Sequence, residues 1–191
     1  VNFHEEIIRI RNAADEALIV SDTEWGPILH QDYDGTPLAL AWTALHPEAI
    51  YLKLIELEHT RTVHDAVRIA QQTGIPVQNF IVGDHSGNIG WTLAGRIPAR
   101  SSGYDPQIPA DWTVPNTGWE GWLPSERYPL ILNPETQRLW SANSRTVSGT
   151  ALTVLGNGGY DLGARATQIR DQLFAREHFV ATDMRAIQLD D

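Results

Sequence analysis

Asp84, His85 and Ser86 stand side by side, the three residue types of a hydrolytic triad. Consecutive residues in a tight turn do not line up in series, and a triad is defined by geometry, so this trio reads as a turn. His59 and His64 are five residues apart, so they do not share a helix face as an i, i+4 metal pair would, and no HExxH occurs. The seven histidines read as surface or capping residues. GNGGYDLG at 156–163 has the glycines of a phosphate-cradling loop but neither the GK[ST] ending nor a parallel βαβ setting, and a helix-start turn accounts for it. Asn143 and Arg165 are individually unremarkable. Taken singly, an Asn at a strand end reads as a turn former and an Arg on a helix as a solvated cation.

Such residues need elements to hold them. EEIIRIR at 5–11 and ALIVSDTEW at 17–25 read as two strands around a turn at Asn12 to Glu16; Gly26-Pro27 breaks the second, and ILH resumes it. DYDGT at 32–36 is a turn signal, LALAWT at 38–43 reads as a buried strand, and 48–58 as a helix with Ile50, Leu54 and Leu57 on one side. Thr62 is placed to cap a helix whose Val63, Ala66, Val67 and Ala70 recur at i, i+3, i+4, i+7, with Gly74 as a left-handed stop and Pro76 beyond it. Two apolar runs within 79–95 flank Asp84–Asn88, a hairpin signal. Residues 96–134 hold seven of the 11 prolines together with Trp112, Trp119 and Trp122, and read as a long ordered loop pinned by aromatics. QRLWSAN at 137–143 reads as a strand ending at Asn143. The Gly turn at 156–159 leads into a helix from about Asp161 to Arg176, striped by Leu162, Ala166, Ile169 and Leu173, and Thr182-Asp183 opens a last helix. The sum is an α+β protein with mainly antiparallel strands and a few helices.

Composition narrows the function classes. The chain of 191 residues is 42% hydrophobic and 20% charged, which is globular and large enough for one ordinary core. A net charge of −10 argues against tracking a phosphate backbone, so no nucleic-acid partner is expected. No apolar run is long enough for a membrane span, and no signal-peptide pattern opens the chain. Zero cysteines remove disulfides, thiolate zinc sites and Cys nucleophiles.

Five segments, read together, carry a resemblance. They are TEWGPIL at 23–29, QNFIVGDHSGNIGWTLAGRIPAR at 78–100, GWEGWLPSERYPLILNPETQRLWSANSR at 118–145, GNGGYDLGARATQI at 156–169 and DMRAIQLD at 183–190. In kind and order they resemble the penicillin amidase (penicillin acylase) family of N-terminal-nucleophile hydrolases. The resemblance implies a fold of the αββα type and a precursor cut into two chains. The new N-terminal residue of the larger chain, usually Ser, is then the nucleophile, and its own α-amine acts through water as the base. It also implies that Asn143 is a side-chain donor to the oxyanion and that Arg165, in the helix after the Gly turn, organises that site.

Two features depart from the family pattern. Val1 has no hydroxyl or thiol and no nucleophile segment precedes it, so residues 1–191 are read as a single internal fragment of the larger, β chain, inactive in isolation. Pro106, in the segment Tyr104-Asp105-Pro106, matches a calcium ligand through its carbonyl, but Val154 stands where the family has an Asp ligand. A hard cation needs several oxygens, so no cofactor is expected of this chain.

The expected partners are the remaining segments of the same precursor, meaning the smaller chain and the nucleophile-bearing part, and a small acyl amide substrate. The family takes penicillins with aromatic or linear side chains, or long-chain acyl homoserine lactones. By resemblance the location is periplasmic or secreted. The alternative reading is a non-catalytic module that binds a ligand with the Trp-rich loop; the bland one is a structural insert over a catalytic core.

Overall fold

The computed structural model describes residues 1–156 and 158–190; Asn157, inside the Gly turn, and Asp191, the last residue of the QLDD stretch, lie outside them. Strands β1 (Asn2–Ile8), β2 (Glu16–Thr23), β3 (Gly26–Gln31) and β4 (Pro37–Ala39) form an antiparallel sheet in chain order. The turn at 32–36 is present, closed by a bond from Gly35 N to the Asp32 carbonyl. Two expectations fail just beyond it. The run 38–43 is not a buried strand: pairing stops at Ala39, and Leu40 and Trp42 are exposed. The stretch 48–58 is not an α-helix but two short 3-10 turns, Pro47–Ala49 and Lys53–His59. Between them Tyr51 forms an isolated bridge with Gly74, which pulls the backbone out of helical register and leaves Ile50 in solvent.

Helix α1 (Val63–Gln72) forms as its spacing predicts, with Val63, Ala66, Val67, Ile69 and Ala70 buried. Thr62 Oγ1 accepts from Asp65 N at 3.2 Å, which satisfies one of the N–H groups a helix start leaves open. Gly74 does not stop the helix by a left-handed turn. A Cβ on it would lie 2.1 Å from the Glu48 carbonyl oxygen, so it is glycine to let the 3-10 segment approach.

Strands β5 (Gln78–Gly83) and β6 (Ile89–Ala94) are the expected hairpin, and β9 (Ile131–Leu132) adds to the outer side of β6. The loop region also contains β7 (Pro98–Arg100) and β8 (Trp119–Trp122), an antiparallel pair that proline content conceals. Strand β6 is buried on both faces. On one face small residues admit the helix: a Cβ on Gly90 would come within 2.7 Å of Val63 Cγ1, and Thr92 Oγ1 takes a bond from Gln71 Nε2 and gives one to the Pro129 carbonyl. On the other face Trp91 and Leu93 form the core with Ile97, Leu123 and Tyr128, against which Val77, Leu139, Val147, Val154 and Leu155 pack. The Trp91 Nε1–H is satisfied by Asn79 Oδ1 at 3.0 Å, as a buried indole requires.

Helix α2 (Gly149–Leu155), not anticipated from the sequence, precedes the Gly turn. Helix α3 (Ala164–Phe174) starts later than expected, so Leu162 lies outside it and is exposed, while Leu173 is buried. Helix α4 (Ala181–Gln188) closes the described chain, with the Asp183 carboxylate accepting from Val180 N at its start. No helix among the described residues is long and apolar enough to cross a membrane.

Trp91 is 1% exposed and sits in the core on one face of β6. Truncating such a residue removes its transfer free energy and leaves a cavity, so Trp91→Ala is expected to destabilise the protein by about 3–5 kcal/mol. Urea denaturation followed by far-UV circular dichroism measures it; a loss below about 1 kcal/mol would place the core elsewhere.

Candidate active site

Residues 137–143 are not a strand. They run without a ladder from the Asn133–Gln137 turn, where Gln137 has φ +52°, to a bend at Asn143. Their position is fixed by side chains instead. Arg138 donates through Nε to the Leu173 carbonyl at 3.1 Å and through Nη2 to the carbonyls of Arg176 and Glu177 at 3.2 and 2.7 Å. The first is an open carbonyl in the last turn of α3, where a cation is favoured, and the other two belong to residues just beyond the helix. Trp140 packs edge-on against Phe174, with centroids 5.8 Å apart.

At the other end of α3 the Asn143 carbonyl accepts from Asp161 N at 2.9 Å. Arg165 Nη2 donates to Asn143 Oδ1 at 2.5 Å, and the Asp161 carboxylate lies 3.7 Å from the same nitrogen. A cation in the first turn of a helix opposes the helix dipole, and these two acceptors offset that. Both members of the Arg165–Asp161 pair are 62% exposed, so the ion pair contributes little energy; its effect is orientation. With Oδ1 committed to a guanidinium, the Asn143 amide can turn only one way, and its NH₂ is left to donate. The structure thus brings together the two residues singled out as a pair.

A third tie escaped the sequence reading. Asn79, on β5, reaches the 142–146 segment: its Nδ2 donates to the Ala142 carbonyl at 3.5 Å, and its Oδ1 takes Thr146 Oγ1 at 3.4 Å as well as Trp91 Nε1. The signal was a single Asn on β5 opposite Leu93, on the face that Trp91 shares, too common a residue to single out.

Asn143 lies on the rim of a cavity of about 470 Å³. Trp42, Trp91, Trp119 and Tyr160 supply aromatic wall, Val77 and Leu93 aliphatic wall, and Arg100 a cation. The other aromatics of the Pro-rich region are spent on packing. Trp112 meets Trp25, Tyr104 and Trp119, and the backbone of Gly118, at φ +101°, passes so close that a Cβ there would lie 2.8 Å from the indole.

The remaining candidates are not brought into this site. The Asp84 carboxylate accepts from Val63 N, Ser86 N, Asn88 N and the Asn88 amide, so it ties the hairpin turn to the start of α1. Desolvation raises its pKa, and the bonds from Asn88, Val63 and Ser86 outweigh that and hold it below the usual value. Among the described residues no hydrogen bond links it to the His85 ring. Pro106 sits in a turn whose Asp105 carboxylate is used by Gln107 N. The Val154 carbonyl, at the position matched to the calcium ligand, is held by the Arg100 guanidinium at 3.2 Å. Among the described residues no three His, Asp or Glu side chains gather as a metal site. The Val154 side chain offers no oxygen and its carbonyl is already taken by a cation, so this position does not fit a calcium ligand.

All 191 residues match the family described as penicillin amidase. The chain belongs to the penicillin amidase family. It is 26% identical over 194 residues to the penicillin acylase 2 proenzyme of Pseudomonas sp. (strain SE83), across all of this chain and 24% of that protein. It is 32% identical over 137 residues to penicillin G acylase of Escherichia coli, across 69% of this chain and 16% of that one. The chain therefore spans a quarter or less of the length of these relatives. Its fold matches a thermostable penicillin G acylase from Alcaligenes faecalis with a TM-score of 0.76 and 20% identity, covering 97% of this chain and 33% of that one. The α+β fold expected from the sequence is thus the fold of a penicillin amidase family structure.

Arg138 carries the tie that a ladder would otherwise provide. Arg138→Ala is expected to speed exchange of the Asp161 amide at least tenfold and to leave the Ala66 amide of α1 unchanged, as read by hydrogen exchange. Unchanged Asp161 protection would mean that Arg165 and Asn79 hold the segment without it.

Proposed function

We propose that this chain is an internal part of an amide hydrolase of the penicillin amidase family, and that it supplies the oxyanion donor and part of the substrate pocket. The observation that carries the reading is the Arg165–Asn143 bond, which leaves an oriented NH₂ at the rim of an aromatic cavity. The nucleophile comes from another segment of the same protein. Its hydroxyl attacks the amide carbonyl and passes its proton through water to its own α-amine. The carbonyl oxygen becomes the tetrahedral oxyanion and accepts from the Asn143 amide. Collapse expels the amine, which takes up the proton, and leaves an acyl ester that water hydrolyses to the free acid. Arg165 holds the amide oxygen so that the NH₂ is presented without reorganisation. The partners are the rest of the precursor and a small acyl amide, and the location is periplasmic or secreted.

A binding module without chemistry is the second reading, favoured by the exposed Trp42 and by Trp119 among the residues lining the cavity. Catalysis separates the two. In the processed full-length protein, Asn143→Ala is expected to lower kcat on a chromogenic acyl anilide by roughly 10²–10³, the usual loss for one oxyanion donor, with unchanged circular dichroism. Arg165→Lys keeps the charge but not the planar fork and is expected to restore only part of the rate lost in Arg165→Ala. Full kcat in Asn143→Ala rules out this donor. Residues 1–191 alone are expected to give no turnover above a boiled control, and clear turnover would refute an external nucleophile.

A further inference from the structure

The two peptide units that flank Asn143 are held from different sides. The Ala142 carbonyl and the Asn143 N–H share one planar unit, and that carbonyl accepts from Asn79 Nδ2 at 3.5 Å. The Asn143 carbonyl belongs to the next unit and accepts from Asp161 N at 2.9 Å. A residue has only two soft backbone torsions, and they set the angle between these planes. With a tertiary bond on each plane, the Asn143 backbone is placed from both ends. The side-chain torsions are left, and Arg165 takes those through Oδ1.

The Asn79 amide has no freedom to flip. Asn79 lies on β5 opposite Leu93, diagonal to Trp91 on the same face of the hairpin. An indole N–H can only donate, so the amide atom that meets Trp91 Nε1 at 3.0 Å is the oxygen. Thr146 Oγ1 donates to the same oxygen at 3.4 Å. Nδ2 is thereby turned toward Ala142. Trp91 is a buried core residue, so the amide takes its bearing from close-packed structure. One side chain thus reaches residues 142 and 146, on either side of the bend at Asn143. Its bonds to them are long, and Asn79 is exposed on the cavity it lines, so their energy is small. What they determine is direction.

We propose that Asn79 is a positioning residue for the oxyanion step: it aligns the Ala142–Asn143 peptide, so that the Asn143 side chain leaves the backbone in a fixed direction. The proposal rests on the amidase reading, in which the Asn143 NH₂ meets the oxyanion. Arg165 sets how the amide is turned, and Asn79 sets where it starts. A donor must be aimed at the oxygen of the tetrahedral state, so a small displacement costs rate more than substrate binding. Direct contact between Asn79 and the substrate is the competing role, because the same side chain lines the cavity, and it leaves a different kinetic signature.

A double-mutant cycle in the processed full-length protein, with a neutral phenylacetyl anilide as substrate, separates the two roles. Asn79→Ala is expected to lower kcat about tenfold and to leave KM within about twofold, since what is lost is an interaction realised in the transition state. In the Asn143→Ala background the same change is expected to cost less than about twofold, because the donor that Asn79 aligns is gone. A kcat loss of equal size in both backgrounds, or a loss that falls on KM, overturns the proposal; the second is what direct substrate contact produces. Removing the acceptor leaves the buried Trp91 N–H open, which lowers stability. Should Asn79→Ala fail to fold, Asn79→Asp decides by the same cycle, because it keeps the acceptor for Trp91 and lacks the donor to Ala142. Hydrogen exchange reads the alignment without turnover: the Asp161 amide is expected to exchange about fivefold faster in Asn79→Ala. Unchanged protection there overturns the proposal even where kcat falls. Full kcat in Asn143→Ala, or no turnover by the wild-type protein, sinks the amidase reading instead, and the exchange result still decides whether Asn79 holds the segment.

Discussion

The site depends on the two-ended attachment of residues 138–143 to helix α3. Arg138 grips one carbonyl in the last turn of the helix and others just past it, and Asn143 meets Asp161 and Arg165 at its beginning. A segment with no ladder of its own has no cooperative hydrogen bonding to fix it, so its polar groups must be satisfied one at a time. Here the satisfaction comes from a helix, the stiffest element available. The energies involved are small because the groups are exposed, each pair being worth at most about 1 kcal/mol. What matters is that several weak ties share one rigid body, so the Asn143 amide inherits the rigidity of α3.

The core makes the second half of the arrangement. Strand β6 is buried on both faces, with glycine and threonine toward α1 and tryptophan and leucine toward the cavity. The cavity floor is thus the core itself, and Asn79 connects floor to rim by bonding both Trp91 and Ala142. A shift of the hairpin would move the wall and the donor together. That coupling keeps the distance between the cavity wall and the Asn143 amide constant without a dedicated support.

Local signals carried much of this. Thr62, the apolar spacing of α1 and the Asp84–Asn88 turn each determine structure within a few residues, and the hairpin and helix appear where expected. The failures share a cause. LALAWT, QRLWSAN and the stretch 48–58 have the composition of regular elements, but a strand needs a neighbour and a helix needs an unbroken register. Tyr51 finds Gly74, 23 positions on, and β9 ends after two residues. Neither fact is visible in a local window. For the site, Asn143 and Arg165 were legible only through the family resemblance; Asn79 and Arg100 needed the three-dimensional register, because alternation on short strands gives no hint of which face a cavity will occupy.

The close approach of Gly156 to Arg100 has a consequence for how the sequence can drift. Gly156 is constrained twice, by its φ of +73° and by the guanidinium lying against its missing side chain. Arg100 is constrained by its bond to the Val154 carbonyl, which a shorter side chain gives up without strain. Substitution paths are therefore one-directional: position 100 can change first with the glycine retained, whereas a change at 156 must follow both a loss of the arginine and a rebuilding of the turn after α2. Divergence within such a lineage would begin at 100 and leave Gly156 behind as a trace of the ancestral arrangement.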